Sequence, residues 1–136
     1  KMMRLYNYLY QKLGIQYSIV YTFDGYDEIS LTDKCKIINS EGEFIYTPEQ
    51  LGFEKVNPAE LWGGETVEHA AKIFMNILDN QSTDGQRNVV IINSAFAIKT
   101  LCPEKAIEEC KAEAIESLAS GKAREAFMKF EEIYHL

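Results

Sequence analysis

The hydrophobic positions near the start of the chain predict a helix followed by a strand. From Met3 to Leu13, leucines at positions 5, 9 and 13 fall on one side of a helix, and Gly14 stands where a helix favours glycine. The next apolar run, Tyr17 to Thr22, is almost unbroken and has the composition of a strand buried on both faces. A helix followed by such a strand is half of an α/β unit.

Two further strands and two short helical turns are predicted next. Cys35 to Ser40 and Glu43 to Thr47 are expected to form a β-hairpin around Glu41 and Gly42, after a brief pairing of Ile29 to Leu31. Capping-box patterns with a following proline, at Thr47-Pro48-Gln50 and Asn57-Pro58-Glu60, indicate where the helical turns begin.

The rest of the chain is predicted to be helical. Val67 to Leu78 is periodic, and Asn80 to Gly85 is a polar loop. The β-branched residues after Asn88 favour a strand, but an apolar run that continues to Leu101 is too long for one. Pro103 opens another helix, and a break at Ser120-Gly121 precedes the last. The expected inward positions are Val67, Ala70, Ala71, Phe74, Ile77 and Leu78; Ala106, Ile107, Cys110, Ala114 and Leu118; and Ala123, Phe127, Phe130 and Tyr134. Asn93 is expected to be a hydrogen-bonded polar group of the core.

Composition favours one domain, residues 1–136. The chain has 136 residues with 46% hydrophobic content, enough for one ordinary core. There is no apolar run of transmembrane length and no signal-peptide pattern, so a cytoplasmic protein that does not enter a membrane is expected. The three cysteines, Cys35, Cys102 and Cys110, lack CxxC spacing and are expected to be reduced and mostly packed thiols.

The formal net charge of −7 argues against a nucleic-acid surface, which needs clustered Lys and Arg. The sequence also lacks GxSxG, HExxH, a P-loop and a dinucleotide fingerprint. No catalytic residue is assigned, since nothing in the sequence partners a cysteine with a histidine.

The best candidate site follows the first strand. Asp24-Gly25 favours a turn, and two adjacent carboxylates, Asp27 and Glu28, come directly after it. Ligands of open α/β sheets bind beyond the carboxyl ends of strands, so this pair is placed to meet a metal ion or a cationic substrate. Oxygen ligands favour Mg²⁺ over zinc, and neither His69 nor His135 is near in sequence. The alternative is a solvated surface turn; in extended chain the two side chains would point to opposite faces.

Trp62-Gly63-Gly64 is a second candidate, because paired glycines before a helix let backbone amides approach an anion. Glu65 follows immediately and opposes a phosphate, so a tight turn between elements is favoured instead.

Four segments resemble anthranilate phosphoribosyltransferases. FDGYDEIS from Phe23, with Leu31 and Thr32, is similar to the family signature DGLDEIS followed by LTG. LWGGETVEHAAKIF, NVVIINSAFAI and GKA, which start at Leu61, Asn88 and Gly121, resemble its glycine-pair segment, its alanine-rich buried helix and its closing helices. The chain departs from the family at His69, where asparagine is usual.

The resemblance implies a fold class: a truncated carboxy-terminal part of a mixed or parallel-sheet α/β domain flanked by helices, with a β-hairpin and three to four closing helices. The family's amino-terminal helical domain and glycine-rich phosphate loop are absent from this sequence. The phosphate- and anthranilate-binding residues are therefore expected outside the chain, which alone is expected to be inactive.

The resemblance also implies an activity. The family transfers a phosphoribosyl group from phosphoribosyl diphosphate to the amine of anthranilate in tryptophan biosynthesis, uses Mg²⁺, and is usually a homodimer. Asp27 and Glu28 match its magnesium-binding pair. Two alternatives stay open: a related phosphoribosyltransferase-fold enzyme with another acceptor, and a non-catalytic interaction domain.

Overall fold

Three strands form one antiparallel sheet in the computed structural model, which describes residues 2–134. They are β1 (Ser18–Thr22), β2 (Cys35–Asn39) and β3 (Gly42–Tyr46), in the order β1-β2-β3. Val20 lies opposite Ile37, which in turn lies opposite Phe44. The predicted hairpin is confirmed, and its turn is closed by the Asn39 side chain, whose Oδ1 accepts the amide hydrogens of Glu41 and Gly42 at 2.9 and 3.2 Å.

Residues 2–134 also form five α-helices: α1 (Met2–Leu13), α2 (Val67–Leu78), α3 (Asp84–Leu101), α4 (Ile107–Ala119) and α5 (Lys122–Tyr134). The predicted short turns are the 3₁₀ helices Glu49–Leu51 and Pro58–Leu61. The α/β class with a hairpin and a closing run of helices is confirmed; among the described strands, every pairing is antiparallel. Within residues 2–134 no helix is long and apolar enough to span a bilayer. His135, set aside above as a metal ligand, lies outside the described residues.

Two helices begin elsewhere than predicted. Helix α3 starts at Asp84, inside the expected polar loop, because Thr83 and Gln86 form a reciprocal cap: each side-chain oxygen accepts the other's amide hydrogen. Helix α4 starts at Ile107, four residues after Pro103. There the carboxylate of Glu109 accepts the Ala106 amide hydrogen at 2.8 Å and fixes the start.

Helix α3 lies at the centre of the core. Its Ile92 is fully buried and packs in a cluster with sheet and loop residues. The other side of α3 packs on α4 through Ile91, Ala114 and Leu118. The buried members of the first cluster are Ile29, Leu31, Cys35, Ile37, Leu51, Val56, Ile92 and Phe96. Since both clusters include α3, this helix joins the sheet to the closing helices.

The predicted inward faces of α2 and α5 are partly wrong. Val67 is 82% exposed, Phe130 57% and Tyr134 79%. Both helices lie at the periphery, where Phe74 and Phe127 pack edge to face with ring centroids 4.9 Å apart. Ala70, Ala71 and Ala106 are exposed as well. An amphipathic pattern identified the helices but not the depth to which each is buried.

Candidate functional site

The segment of residues 23–32, here called the acidic loop, begins with a tight turn at the end of β1. The Gly25 amide donates to the Thr22 carbonyl, and the Thr22 amide donates to the Tyr26 carbonyl, both at 3.0 Å. Gly25 has φ +104°, a backbone conformation that residues other than glycine rarely adopt. The turn therefore needs its glycine, as the Asp-Gly pair predicted.

A directed chain of hydrogen bonds closes the loop from Ser30 back to Asp24. The Thr32 hydroxyl donates to the Asp24 carboxylate, which accepts only. Ser30 Oγ and Thr32 Oγ1 are 2.6 Å apart, so the Ser30 hydroxyl must be the donor in that contact. Both hydroxyl residues are 2% exposed. Asp24 thus shapes the loop, in agreement with the expectation that it forms the turn.

The predicted brief strand at residues 29–31 is wrong, because its backbone bonds elsewhere. The Ile29 amide donates to Asn93 Oδ1 at 3.1 Å, and Asn93 Nδ2 donates to the Ile29 carbonyl at 2.9 Å. Leu31 takes φ +58°, and its carbonyl accepts the Val56 amide hydrogen at 2.9 Å. A left-handed residue cannot continue a strand, so the segment lies in the core as an irregular loop.

Asp27 and Glu28 lie in a bend of the acidic loop and are both exposed. The extended geometry that would have sent them to opposite faces is therefore absent. Among residues 2–134, neither carboxylate takes part in an ion pair or a side-chain hydrogen bond. Two adjacent, uncompensated carboxylates are available to bind a cation.

The pair alone does not complete a metal site. Within the described chain, no three His, Cys, Asp or Glu side chains converge as a metal-binding group. Mg²⁺ commonly takes one or two protein carboxylates and fills its other positions with water and substrate phosphates. The chemistry of two free carboxylates therefore fits Mg²⁺ and does not fit a closed zinc site.

A cavity of about 210 Å³ joins the two predicted sites. Glu28 and Ser30 line one side, and Trp62, Gly63 and Gln86 line others. Apolar side chains of α2 and α3 complete the wall. Asp27 is outside this lining, so the two carboxylates occupy different positions relative to the cavity.

The glycine pair lies in an irregular connection before α2 and not at the start of the helix. Thr66 caps α2, with its Oγ1 accepting the His69 amide hydrogen at 3.1 Å. Gly64 has φ +93°, and a Cβ there would be 2.9 Å from His69 Cγ. The imidazole of His69 packs at right angles to Trp62 with centroids 5.1 Å apart. The absence of a side chain at Gly64 leaves room for His69, whereas a Cβ at Gly63 would meet nothing within 4 Å. The pair connects two elements, as expected, but through an irregular segment and not a tight turn.

Sequence reasoning missed the side chains that hold the loop. Asn93 was expected only as a satisfied core group, and Ser30 and Thr32 were given no role. The sequence offered two signals for these side chains. One was a serine and a threonine two residues apart beside an acidic pair, and the other was an asparagine in an apolar run.

The two buried cysteines offer no nucleophile to this site. Burial raises the pKa of the Cys35 thiol to about 11, and burial also raises the pKa of Cys110. Cys102 is partly exposed. A thiol of such a high pKa stays protonated at neutral pH and is a poor nucleophile, as expected for packed thiols.

We expect alkylation of the native protein at about pH 8 to label Cys102 first, with Cys35 slower by roughly 100-fold or more, because so little of it is thiolate. Peptide mapping by mass spectrometry after timed quenching measures this order. Unfolding in guanidinium should remove the difference. Equal labelling of Cys35 and Cys102 in the native state would contradict the burial described here.

Residues 1–124 match the family described as "Glycosyl transferase family, a/b domain". An anthranilate phosphoribosyltransferase of Bacteroides fragilis (strain YCH46) is 53% identical over 132 residues, which are 97% of this chain and 40% of that protein. One from Cytophaga hutchinsonii is 44% identical over 126 residues, or 93% of this chain and 38% of that protein. The chain thus spans about 40% of the length of the curated relatives it matches.

Solved structures share the fold. Anthranilate phosphoribosyltransferase from Thermus thermophilus superimposes with a TM-score of 0.77 at 24% identity, over 88% of this chain and 36% of that one. The Saccharomyces cerevisiae enzyme in complex with PRPP and Mg gives 0.72 at 22% identity, over 88% and 34%. Family match, sequence identity and fold agree, and the chain therefore belongs to the glycosyl transferase family, in its a/b domain.

Proposed function

We propose that this chain supplies the acidic, cation-binding side of the active site of an anthranilate phosphoribosyltransferase. The observation that carries the proposal is that Asp27 and Glu28 are free carboxylates on a loop bonded to both β1 and α3, with Glu28 at a cavity. The relatives named above support it: they carry this activity in their names and align along nearly the whole chain.

In the proposed reaction, the amine of anthranilate attacks the anomeric carbon of phosphoribosyl diphosphate. A bond from that carbon to nitrogen forms, the bond to the diphosphate oxygen breaks, and diphosphate leaves with the electron pair. The amine nitrogen releases one proton to water. The substrate is a polyanion, and this chain is also negatively charged, with a net charge of −7. Repulsion between the two must be offset by a bound cation and by basic groups of the remaining protein.

Asp27 and Glu28 are the residues that would hold Mg²⁺, through carboxylate oxygens. When bound, the ion would neutralise charge on the departing diphosphate. The hydroxyl chain of Ser30, Thr32 and Asp24 holds the loop that presents these carboxylates. None of these side chains is assigned as a general base.

The alternatives predict different behaviour. A related enzyme with another acceptor would need the same acidic pair but would not consume anthranilate. A non-catalytic interaction domain would tolerate loss of both carboxylates.

We further propose that the intact protein acts as a cytoplasmic homodimer in tryptophan biosynthesis.

The experiment is a fluorescence assay of anthranilate consumption with phosphoribosyl diphosphate and Mg²⁺, run on the full-length protein that contains this chain and on the 136-residue chain alone. We expect turnover only by the full-length protein, because the chain spans about 40% of the curated relatives. Light scattering on the same preparations measures whether the full-length protein is dimeric.

The controls separate the possible outcomes. Turnover by the 136-residue chain alone would contradict the assignment of the phosphate and acceptor sites to the remaining protein. A folded full-length protein that consumes phosphoribosyl diphosphate with another amine, and not with anthranilate, would overturn the proposed acceptor.

A further inference from the structure

The peptide unit between Glu28 and Ile29 is held at both of its polar ends. Its carbonyl accepts the hydroxyl hydrogen of Thr22, which is fully buried at the end of β1. Its N–H donates to Oδ1 of Asn93 on α3 at 3.1 Å. One element of the sheet and one core helix therefore fix the backbone directly after the second carboxylate of the acidic pair.

The Asn93 side chain has one possible orientation in this contact. Its Nδ2 donates to the Ile29 carbonyl at 2.9 Å and to the Val89 carbonyl of its own helix at 2.8 Å. Both amide hydrogens are thereby used, and Oδ1 accepts the Ile29 N–H. Rotating the amide by half a turn would place Oδ1 against two carbonyl oxygens and Nδ2 against a donor, so the bonding pattern fixes the orientation.

We propose that Asn93 is a positioning residue for cation binding, which acts by holding the Glu28–Ile29 peptide so that Glu28 faces the cavity. This inference rests on the proposed binding of a divalent cation by Asp27 and Glu28. Asn93 itself touches neither the cation nor a substrate. Groups that orient metal ligands through a hydrogen bond typically change metal affinity or activity by about 10–100-fold when they are removed.

The decisive variant is Asn93→Asp, which keeps the shape and the acceptor but removes both donors. Asn88→Asp is the matched control, since it makes the same change in charge on the same helix at a partly buried side chain. Thr22→Val removes the bond on the other side of the peptide and keeps the side-chain shape. It provides a second route to the same result if Asn93→Asp fails to fold.

The test uses the full-length protein and Mn²⁺ alone as the probe, with free Mn²⁺ measured by electron paramagnetic resonance. We expect the Mn²⁺ dissociation constant to rise about tenfold in Asn93→Asp and in Thr22→Val, and to stay within about twofold in Asn88→Asp. In the anthranilate assay, the Mg²⁺ concentration for half-maximal rate should rise in parallel, while KM for anthranilate at saturating Mg²⁺ stays unchanged.

The two readouts separate this inference from the proposed function. The two variants could bind Mn²⁺ more weakly while the unmodified protein does not consume anthranilate. That result would support the positioning role and refute the proposed acceptor. Folded Asn93→Asp and Thr22→Val proteins with lower thermal stability and unchanged Mn²⁺ binding would overturn the positioning role. An unmodified protein that binds no Mn²⁺ would overturn it as well.

Discussion

Replacing Asp27 and Glu28 together with alanine is expected to lower the rate of the full-length protein by at least about 100-fold. Such a loss corresponds to about 2.7 kcal/mol of transition-state stabilisation, within the several kcal/mol that a metal ion supplies to a departing phosphate group. Both side chains are exposed and unpaired within the described residues, so their removal leaves no buried charge without a partner. The measurement is kcat/KM for phosphoribosyl diphosphate over a series of Mg²⁺ concentrations.

The chain contains a matched control for this change. Glu131 and Glu132 are adjacent, exposed carboxylates near the end of α5, and their replacement by alanine alters the net charge by the same amount. We expect this control to keep its rate within about twofold, since exposed charges far from a site are screened by salt. Equal losses in both double variants would mean that net charge, and not a specific site, is responsible.

Replacing Ile92 with alanine is expected to lower the free energy of unfolding by about 2–5 kcal/mol. Ile92 is fully buried in the cluster that joins the sheet to α3, and it packs in that cluster with Ile29 and Leu31 of the acidic loop. Removing the side chain costs its transfer free energy and leaves a cavity that the neighbours fill only in part. Urea unfolding followed by far-UV circular dichroism measures the change.

Ile133 provides the comparison, because it is 71% exposed on α5 and undergoes the same substitution. We expect Ile133→Ala to change the free energy of unfolding by no more than about 0.5 kcal/mol. If the two variants lost equal stability, the central place of α3 in the core would be wrong.

Local patterns predicted the elements of this fold well. The end of α1 at Leu13, the bounds of α2 and the hairpin needed only periodicity and turn residues. The start of α3 was missed although Thr83 and Gln86 form a recognisable capping box, since Gly85 next to Asp84 resembled a loop. That error came from weighing composition above a capping pattern.

The sequence did not predict how deeply each helix is buried or which side chains hold the acidic loop in place. The apolar side chains of α5 are spaced as in a buried helix, yet Phe130 and Tyr134 are exposed. The depth of burial depends on where a helix lies in the fold and not on the spacing of its apolar residues. The acidic pair was predicted as a candidate from its place after a strand. The bond from Asn93 to Ile29, 64 residues apart, required the packed structure.

The acidic loop has no regular secondary structure, yet part of its backbone is hydrogen-bonded to the surrounding fold. Thr22, Asn93 and Val56 form hydrogen bonds to backbone groups of residues 28, 29 and 31. Freezing one residue of a mobile loop costs about 1–2 kcal/mol in conformational entropy. Folding has already met that cost at these residues, so the proposed binding of a cation by the acidic pair would spend no free energy on ordering them.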